Sequence, residues 1–301
     1  MPRPVTVGLD GSSESRAAAE WAAREAGLRG LPLTVVHVWE PIPDLLIRAP
    51  LLGTETRQDW VARIPREAAE GLRLRHPGVE VTAEHLAGRP AELLVEAAEH
   101  AELLVLGSRA LGGAGGFLLG SVSLAVVARA VRPVILVRAG EQAADEHERD
   151  PVGIPSAATR FRPVVLGLDI GGADASLIGF AFEEAAHRAA ALHVVHGWSL
   201  PFTSAAGTAA EVDPHDRYGR ERAGALSEVL GVWRQKYPAV EVVERARSGS
   251  AAALLVDASR EASLVVVGRR IRRNPLGVHI GSVAHAVLHH ATAPVAVVAH
   301  D

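Results

Sequence analysis

Apolar positions follow two alternating patterns along the first half of the chain. Short continuous apolar runs predict strands at residues 4–9, 33–38, 79–86, 103–107 and 133–137. Runs with a helical period predict helices at residues 13–29, 55–75, 90–101 and 121–131. Runs such as LLVLG are apolar on both faces, as in strands buried between two helical layers. The alternation predicts an α/β fold with a doubly wound, five-stranded parallel sheet (Rossmann-like), whose ligands bind beyond the carboxyl ends of its strands.

The same pattern occurs twice. VTVGLDGS at 5–12 matches VVLGLDIG at 164–171, and LLVLGSR at 103–109 matches LVVVGRR at 264–270. The offset is 159 residues for the first match and 161 for the second, so the order and spacing indicate a tandem duplication. Between the copies, a segment rich in Glu, Asp, Ala, Gly and Pro lacks an apolar period. We therefore predict a first domain at 1–139, a linker at 140–161 and a second domain at 162–301.

Composition narrows the class of protein. The 301 residues are 48% hydrophobic and 22% charged, which is typical of globular domains. A net charge of −4 gives no basic field for nucleic acid, and the absence of cysteine excludes thiol catalysis, disulfides and thiolate zinc sites. The longest apolar stretch, 122–137, is interrupted by Arg129 and Arg132, and the first strand leaves no room for a signal peptide. We expect a soluble, cytoplasmic chain without nucleic-acid or membrane partners.

A glycine-rich loop follows the fourth predicted strand. Five glycines occur between positions 107 and 116, and Gly120-Ser121 then begins a helix. Glycine lets backbone N–H groups approach an anion, and the helix start adds unpaired donors and the positive end of a dipole. The loop therefore favours phosphate binding, with an ordinary surface loop and a serine N-cap as the alternative interpretation.

This loop resembles the ATP-binding signature of the universal stress protein family, which is Gly, two residues, Gly, nine residues and Gly-Ser/Thr. The resemblance covers both halves of the chain and implies an adenine-nucleotide α-hydrolase-like fold that binds ATP, with or without Mg²⁺. It implies that Gly107 lies at the ribose, that residues 120–123 hold the phosphates, and that Asp10 and Val38 lie at the adenine. The full predicted nucleotide site comprises Asp10, Val38, Gly107, Arg109, Ala110, Gly112, Gly120, Ser121, Val122 and Ser123.

Both copies depart from that signature. Ala110 replaces its middle glycine, at a cost of about 1 kcal/mol if the position requires a positive φ. In the second copy Ile271 takes this position, where a positive φ would be an outlier, and Ala284 replaces the hydroxyl of Ser123. We expect the second copy to bind ATP weakly or not at all. Its candidate weak site comprises Asp169, Gly268, Arg270, Gly281, Ser282 and Val283.

Other signals are weaker. The only lysine, Lys236, is not in a Gly-Lys-Ser/Thr sequence, which excludes a Walker A loop. His285 and His289 have the spacing of metal ligands on a helix but lack an evident third ligand, so we predict no metal site built from side chains. His37 and His196 share a repeat position, and we expect them to have a structural role.

These observations predict an ATP-binding regulatory protein of the universal stress type, with a role in the stress response. ATP would order the loop 107–121 and change a surface that partners recognise. Segments 133–137 and 294–299 would join the two copies as an intramolecular pseudo-dimer, and whether tandem chains also form a homodimer stays open. Without an obvious general base, hydrolysis is expected to be slow or absent.

Two alternatives remain open at this point. One is a slow ATPase or nucleotidyl-transfer enzyme that uses His37 or Asp10 in catalysis. The other is an interaction scaffold that binds no nucleotide, with Ala110 and Ile271 marking the loss of binding in both copies. The sequence also leaves the choice among ATP, ADP, AMP and a cyclic nucleotide open.

Overall fold

A computed structural model describes residues 2–40, 57–108, 120–199, 214–271 and 280–301. The chain divides into two compact units, Met1–Gln142 and Ala143–Asp301, and each contains one copy of the repeat. Among the described residues, no helix combines the length and the hydrophobicity that are needed to cross a membrane.

The first unit is a five-stranded sheet with helices between the strands. Its elements are β1 Val5–Gly8, α1 Ser13–Arg29, β2 Leu33–Trp39, α2 Arg57–Arg75, β3 Val81–Ala87, α3 Pro90–His100, β4 Leu103–Ser108, α4 Ser121–Arg129 and β5 Val134–Arg138. The strand order is β3-β2-β1-β4-β5, and every neighbouring pair is parallel.

The second unit repeats this arrangement. Its elements are β6 Val164–Gly167, α5 Ala175–His187, β7 Leu192–Trp198, α6 Pro214–Lys236, β8 Val242–Ser248, α7 Ala251–Ala258, β9 Leu264–Arg270, α8 Ser282–His290 and β10 Val295–His300. The order β8-β7-β6-β9-β10 is also parallel throughout. The predicted fold class is therefore confirmed, and every residue of β1 is buried, as the continuous apolar runs require.

The two units differ in where their first helix begins. In the first unit Ser12 caps α1, and its side chain accepts a hydrogen bond from the Ser15 N–H. The position equivalent to Ser13, the first residue of α1, is Gly172, which ends a 3₁₀ turn at Ile170–Gly172. The cap of the second unit is Asp174, and α5 begins at Ala175, three residues later than the repeat would place it.

The segment 140–161, for which the sequence predicts a linker, is folded. Residues 143–161 belong to the second unit and include a 3₁₀ turn at Ala143–Glu146. The Glu148 N–H donates to the Arg160 carbonyl at 2.8 Å, and His147 pairs with Phe161 in an isolated antiparallel bridge. Backbone hydrogen bonds thus hold the two ends of this segment together beside β6.

Gly107, near the end of β4, lies directly against the first turn of α1. A Cβ atom at this position would lie 2.6 Å from the Glu14 carbonyl carbon and 2.7 Å from the Ser15 nitrogen. Backbone atoms of a helix cannot move away without displacing the helix, so only glycine fits here.

We predict that Gly107→Ala lowers the free energy of unfolding of the first unit by about 1–3 kcal/mol, because the added methyl group overpacks this contact. Gly27→Ala, within α1 of the same unit, is the matched control. Its Cβ would meet only Val79, at an ordinary 3.6 Å, so we expect a gain of about 0.5–1 kcal/mol. Urea unfolding followed by circular dichroism measures both changes, and equal stability of Gly107→Ala and the unaltered chain would contradict the argument.

Candidate functional site

The first unit has a cavity of about 300 Å³ at the carboxyl ends of β1, β2 and β4. Seven residues of the predicted nucleotide site line it: Asp10, Val38, Gly107, Gly120, Ser121, Val122 and Ser123. The other three predicted residues, Arg109, Ala110 and Gly112, lie outside the described residues. The described part of the predicted site therefore comes together in one place, although it derives from four separate segments.

Sequence reasoning missed the apolar wall of this cavity. Side chains of Leu9, Val36, Leu94 and Leu106 contribute to the lining together with Pro90. A signal for the wall was available, because these residues lie at the ends of apolar runs or at a helix start. A flat apolar ligand such as a purine could pack against such a wall.

Hydrogen bonds fix the turn between β1 and α1. The Asp10 carboxylate accepts from the N–H of Ser12 at 3.0 Å and from its hydroxyl at 2.5 Å. The Ser15 hydroxyl donates to the Ser12 carbonyl at 3.1 Å, and Gly11 supplies the positive φ of +84° that the turn requires. Arg16 closes the outside of the turn by donating to the Gly11 carbonyl at 2.8 Å. Asp10 is thus held at the mouth of the cavity.

The start of α4 supplies the opposite wall. Gly120 is its N-cap and has no side chain to bond the first N–H groups of the helix. These groups, together with the helix dipole, suit an anion. The Ser123 hydroxyl instead donates to the Gly107 carbonyl at 3.1 Å, so its hydrogen is already used within the protein. Backbone N–H groups and the exposed Ser121 remain as the anion donors on this helix.

The first cavity is acidic. Asp10 and Glu14 are the only ionisable side chains among the described residues that line it. Two carboxylates oppose a polyphosphate unless a cation accompanies it. Within the part of the chain that the structure describes, no group of three or more His, Cys, Asp or Glu side chains could hold a metal ion. One or two carboxylates together with phosphate oxygens are nonetheless a usual Mg²⁺ environment, so this lining fits a nucleotide-bound Mg²⁺ ion.

The second unit has a larger cavity, of about 470 Å³, at the equivalent ends of its strands. Five of the six candidate residues line it: Asp169, Gly268, Arg270, Gly281 and Val283. Ser282 is exposed at the start of α8 and is absent from the lining. Ala284 lines it where the first unit has Ser123. The two departures from the signature, Ile271 and Ala284, have therefore not closed this cavity.

Ile271 does not have the positive φ that would make it an outlier. Among the described residues, Ala189 is the only non-glycine residue with a positive φ. The Ile271 N–H donates to the His300 carbonyl at 2.6 Å, which extends the pairing of β9 with β10 by one residue. The backbone at Ile271 thus takes a different path from the positive φ of the signature glycine, as expected for a β-branched residue.

The polar groups of the second cavity differ from those of the first. His196 and His300, which sequence reasoning did not place in this site, line it together with Arg270. Arg270 and His300 are paired residues of β9 and β10, so they enter the cavity side by side. Nearby, burial disfavours ionisation of Asp174, but hydrogen bonds from Ser176 and the backbone outweigh this effect. The pKa of Asp174 therefore lies below its usual value, with a smaller contribution from His300.

Val38 has no counterpart side chain in the second unit, where the equivalent residue is Gly197. A Cβ atom at Gly197 would lie 2.6 Å from the Ala251 Cα, so the start of α7 packs directly on the backbone of β7. The end of the cavity that the resemblance assigns to adenine is therefore built differently in the two units.

His37 and His196 each link two neighbouring strands by a hydrogen bond, from β2 to the end of β1 and from β7 to the end of β6. Nδ1 of His37 lies 2.6 Å from the Leu9 carbonyl, and Nδ1 of His196 lies 3.0 Å from the Leu168 carbonyl. Each ring must donate from Nδ1, because a carbonyl only accepts. His85 stacks on His37 at 5.5 Å between ring centroids, and burial together with His37 lowers the pKa of His85. This geometry gives both repeated histidines a structural role.

Comparisons with known proteins agree with the duplicated fold. The universal stress protein family model matches residues 1–138 and again residues 160–299. A universal stress protein of Mycolicibacterium smegmatis is 32% identical over 98% of this chain and 96% of its own length. One of Mycobacterium tuberculosis is 35% identical, with 97% and 96% coverage.

A solved structure extends the likeness to the fold of the whole chain. The crystal structure of a universal stress protein from Archaeoglobus fulgidus covers 99% of this chain and 98% of its own, with a TM-score of 0.67 and 18% identity. At that identity the match supports the fold alone. The two family matches and the mycobacterial relatives show that the chain belongs to the universal stress protein family.

Proposed function

We propose that the first unit is a receptor for ATP and that the protein regulates partners in the stress response. The observation that carries this proposal is the first cavity, where seven predicted residues meet an apolar wall and the uncapped start of α4. Adenine would pack between Val38 and the wall, and the phosphates would reach the N–H groups at residues 120–123. ATP would fix the conformation of segment 107–121, most of which lies outside the described residues.

The charge of the lining argues for Mg²⁺ as a companion of ATP. The metal would neutralise phosphate oxygens that otherwise face Asp10 and Glu14. Hydrolysis is not part of the proposal, because His37 is not among the described residues that line the first cavity. A cytoplasmic location, the pairing of segments 133–137 and 294–299, and a homodimer stay predictions from the sequence.

The direct test of the proposal is to denature the purified chain and to chromatograph the supernatant for adenine nucleotides. Bound ATP also stabilises the folded chain, by about 2.7 kcal/mol when free ATP is 100 times Kd. We expect Mg-ATP to raise Tm. An empty supernatant together with an unchanged Tm in millimolar ATP would favour a scaffold that binds no nucleotide.

Ser121→Glu should abolish most of the stabilisation by Mg-ATP. The substitution adds a third carboxylate at the phosphate end of the first cavity, and a glutamate in the first turn suits the helix itself. Ser282→Glu, at the equivalent exposed position of α8, is the matched control and should keep the Tm shift that arises from the first unit. A shift lost in the control and retained in Ser121→Glu would place the ATP site in the second unit.

Removal of Mg²⁺ should weaken ATP binding about tenfold, because the phosphates then face two carboxylates. Asp10→Asn keeps an oxygen acceptor for Ser12 but removes one negative charge. We expect this variant to bind Mg-free ATP several-fold more tightly than the unaltered chain, and to gain less from Mg²⁺. Titration calorimetry of both chains, each with Mg²⁺ and with EDTA, measures these affinities. Equal ATP affinity in all four titrations would show that the carboxylates do not repel the phosphates.

The variant His37→Phe tests whether His37 has a structural or a catalytic role. Loss of the bond to the Leu9 carbonyl should cost about 1–3 kcal/mol of stability, because it leaves a buried acceptor unpaired. Phosphate release from Mg-ATP should stay as slow as in the unaltered chain. Measurable turnover that His37→Phe or Asp10→Ala removes at unchanged ATP affinity would instead support the enzyme alternative.

A further inference from the structure

The second unit has a further cavity at the opposite end of its sheet from the one described above. This amino-end cavity has a volume of about 710 Å³ and lies where β6 and β7 begin. Pro163, in its lining, directly precedes β6, and His193 is the second residue of β7. The folded segment 143–161 contributes Glu148 and Arg149 to the lining. The cavity is therefore built entirely from residues of the second unit.

The lining of the amino-end cavity is polar. Eight of its ten described residues have ionisable side chains, which are four arginines, three carboxylates and one histidine. The other two residues are Pro163 and Ala258. A purine would find little apolar surface here, in contrast to the two cavities at the carboxyl ends of the strands. The lining therefore suits a small, strongly polar ligand.

Arg245 is available to such a ligand. Its half-buried side chain makes no hydrogen bond and no ion pair within the part of the chain that the structure describes. Two other arginines of the lining are engaged. Arg162 donates to the carbonyls of His147 and Arg260. The Arg260 guanidinium in turn lies 3.8 Å from the Asp257 carboxylate. A half-buried guanidinium without a counter-ion attracts an anion, and its planar shape suits a carboxylate or a phosphate.

The first unit has the opposite charge at the position of Arg245. Arg245 lies opposite Val195 in the pairing of β8 with β7. Glu84 lies opposite Val36 in the same way, in the pairing of β3 with β2. Because the two registers are equivalent, the fold accepts either charge at this position, and the fold alone does not account for an arginine there.

His193 adds a neutral polar group beside this charge. Burial lowers the pKa of His193 and the Arg245 charge lowers it further, against opposing effects of Glu241 and Glu261. The imidazole is therefore mostly neutral at pH 7, with one nitrogen that accepts a hydrogen bond and one that donates. A neutral imidazole and a carboxylate are both suitable acceptors for the hydroxyl groups of a ligand.

We infer that the amino-end cavity binds a small hydroxylated anion, either a sugar phosphate or a sugar acid, with its anionic group on Arg245. His193 and the Glu261 carboxylate would accept hydrogen bonds from its hydroxyl groups. The carboxylates of the lining repel a bare polyanion, but they stabilise a ligand that offers neutral hydroxyl donors. The inference is independent of the ATP proposal, because it concerns the other unit and the other ends of the strands.

Glucose 6-phosphate and gluconate are the two probes, titrated by calorimetry into the full-length chain in 0.15 M salt. We expect one of them to bind about tenfold more tightly than either inorganic phosphate or glucose, because it alone combines the anionic group with hydroxyl groups. Tighter binding of glucose 6-phosphate would identify a sugar phosphate as the ligand, and tighter binding of gluconate a sugar acid.

Arg245→Glu should weaken the tighter probe at least about tenfold, because a charge-assisted hydrogen bond is replaced by repulsion. The variant should fold, since Glu84 occupies the equivalent register position in the first unit. Circular dichroism checks the fold. Arg245→Gln, which removes the charge without reversing it, should weaken binding by a smaller factor.

Arg247→Glu is the matched control. It makes the same change in net charge two residues further along β8, but Arg247 is exposed and does not line the cavity. Salt screens its charge, so affinity should stay within about threefold. The inference is overturned if neither probe binds, if phosphate or glucose alone binds as tightly as the better probe, or if both Arg245 variants bind normally. Equal weakening by Arg245→Glu and Arg247→Glu would overturn it too, since a general attraction between charges would then explain the binding.

Discussion

The close contact between the first turn of α1 and the end of β4 determines the geometry of the first site. Because Gly107 has no Cβ, the backbone of Glu14 and Ser15 can lie against the strand. The β1–α1 turn is thereby placed so that Asp10 lies at the mouth of the same cavity as Gly120. One absent side chain thus lets the backbone of α1 lie directly against β4 beside this cavity.

The second unit keeps the glycine and changes its neighbour. Gly268 borders the His300 imidazole and Leu177 instead of helix backbone, since the 3₁₀ turn Ile170–Gly172 delays the start of α5. Withdrawal of the helix is consistent with the larger volume of the second cavity, 470 Å³ against 300 Å³. Both units thus keep a glycine at this position, but the groups that contact it differ between them.

The sequence predicts the fold well because buried parallel strands appear as continuous apolar runs. The repeat adds support, since the same order of runs occurs in both halves of the chain. The first site follows from a local motif plus residues at strand ends. His300 could not be predicted in the same way, since it reaches the cavity only through its register with Arg270, and nothing in the local pattern marks that pairing. The late start of α5 had a signal that sequence reasoning missed, because aspartate is a preferred N-cap residue and the Asp174 side chain caps this helix.

Loss of a glycine signature is therefore weak evidence that a cavity has been lost. Its walls are core residues such as Leu168 and Leu255, 4% and 1% exposed, and replacing them with small residues would cost several kcal/mol of stability. Arg270 is exposed and His300 is half-buried, so their identities can change at little cost to the fold. After a duplication the apolar wall should persist while the polar end diverges, which is the difference observed between the two cavities.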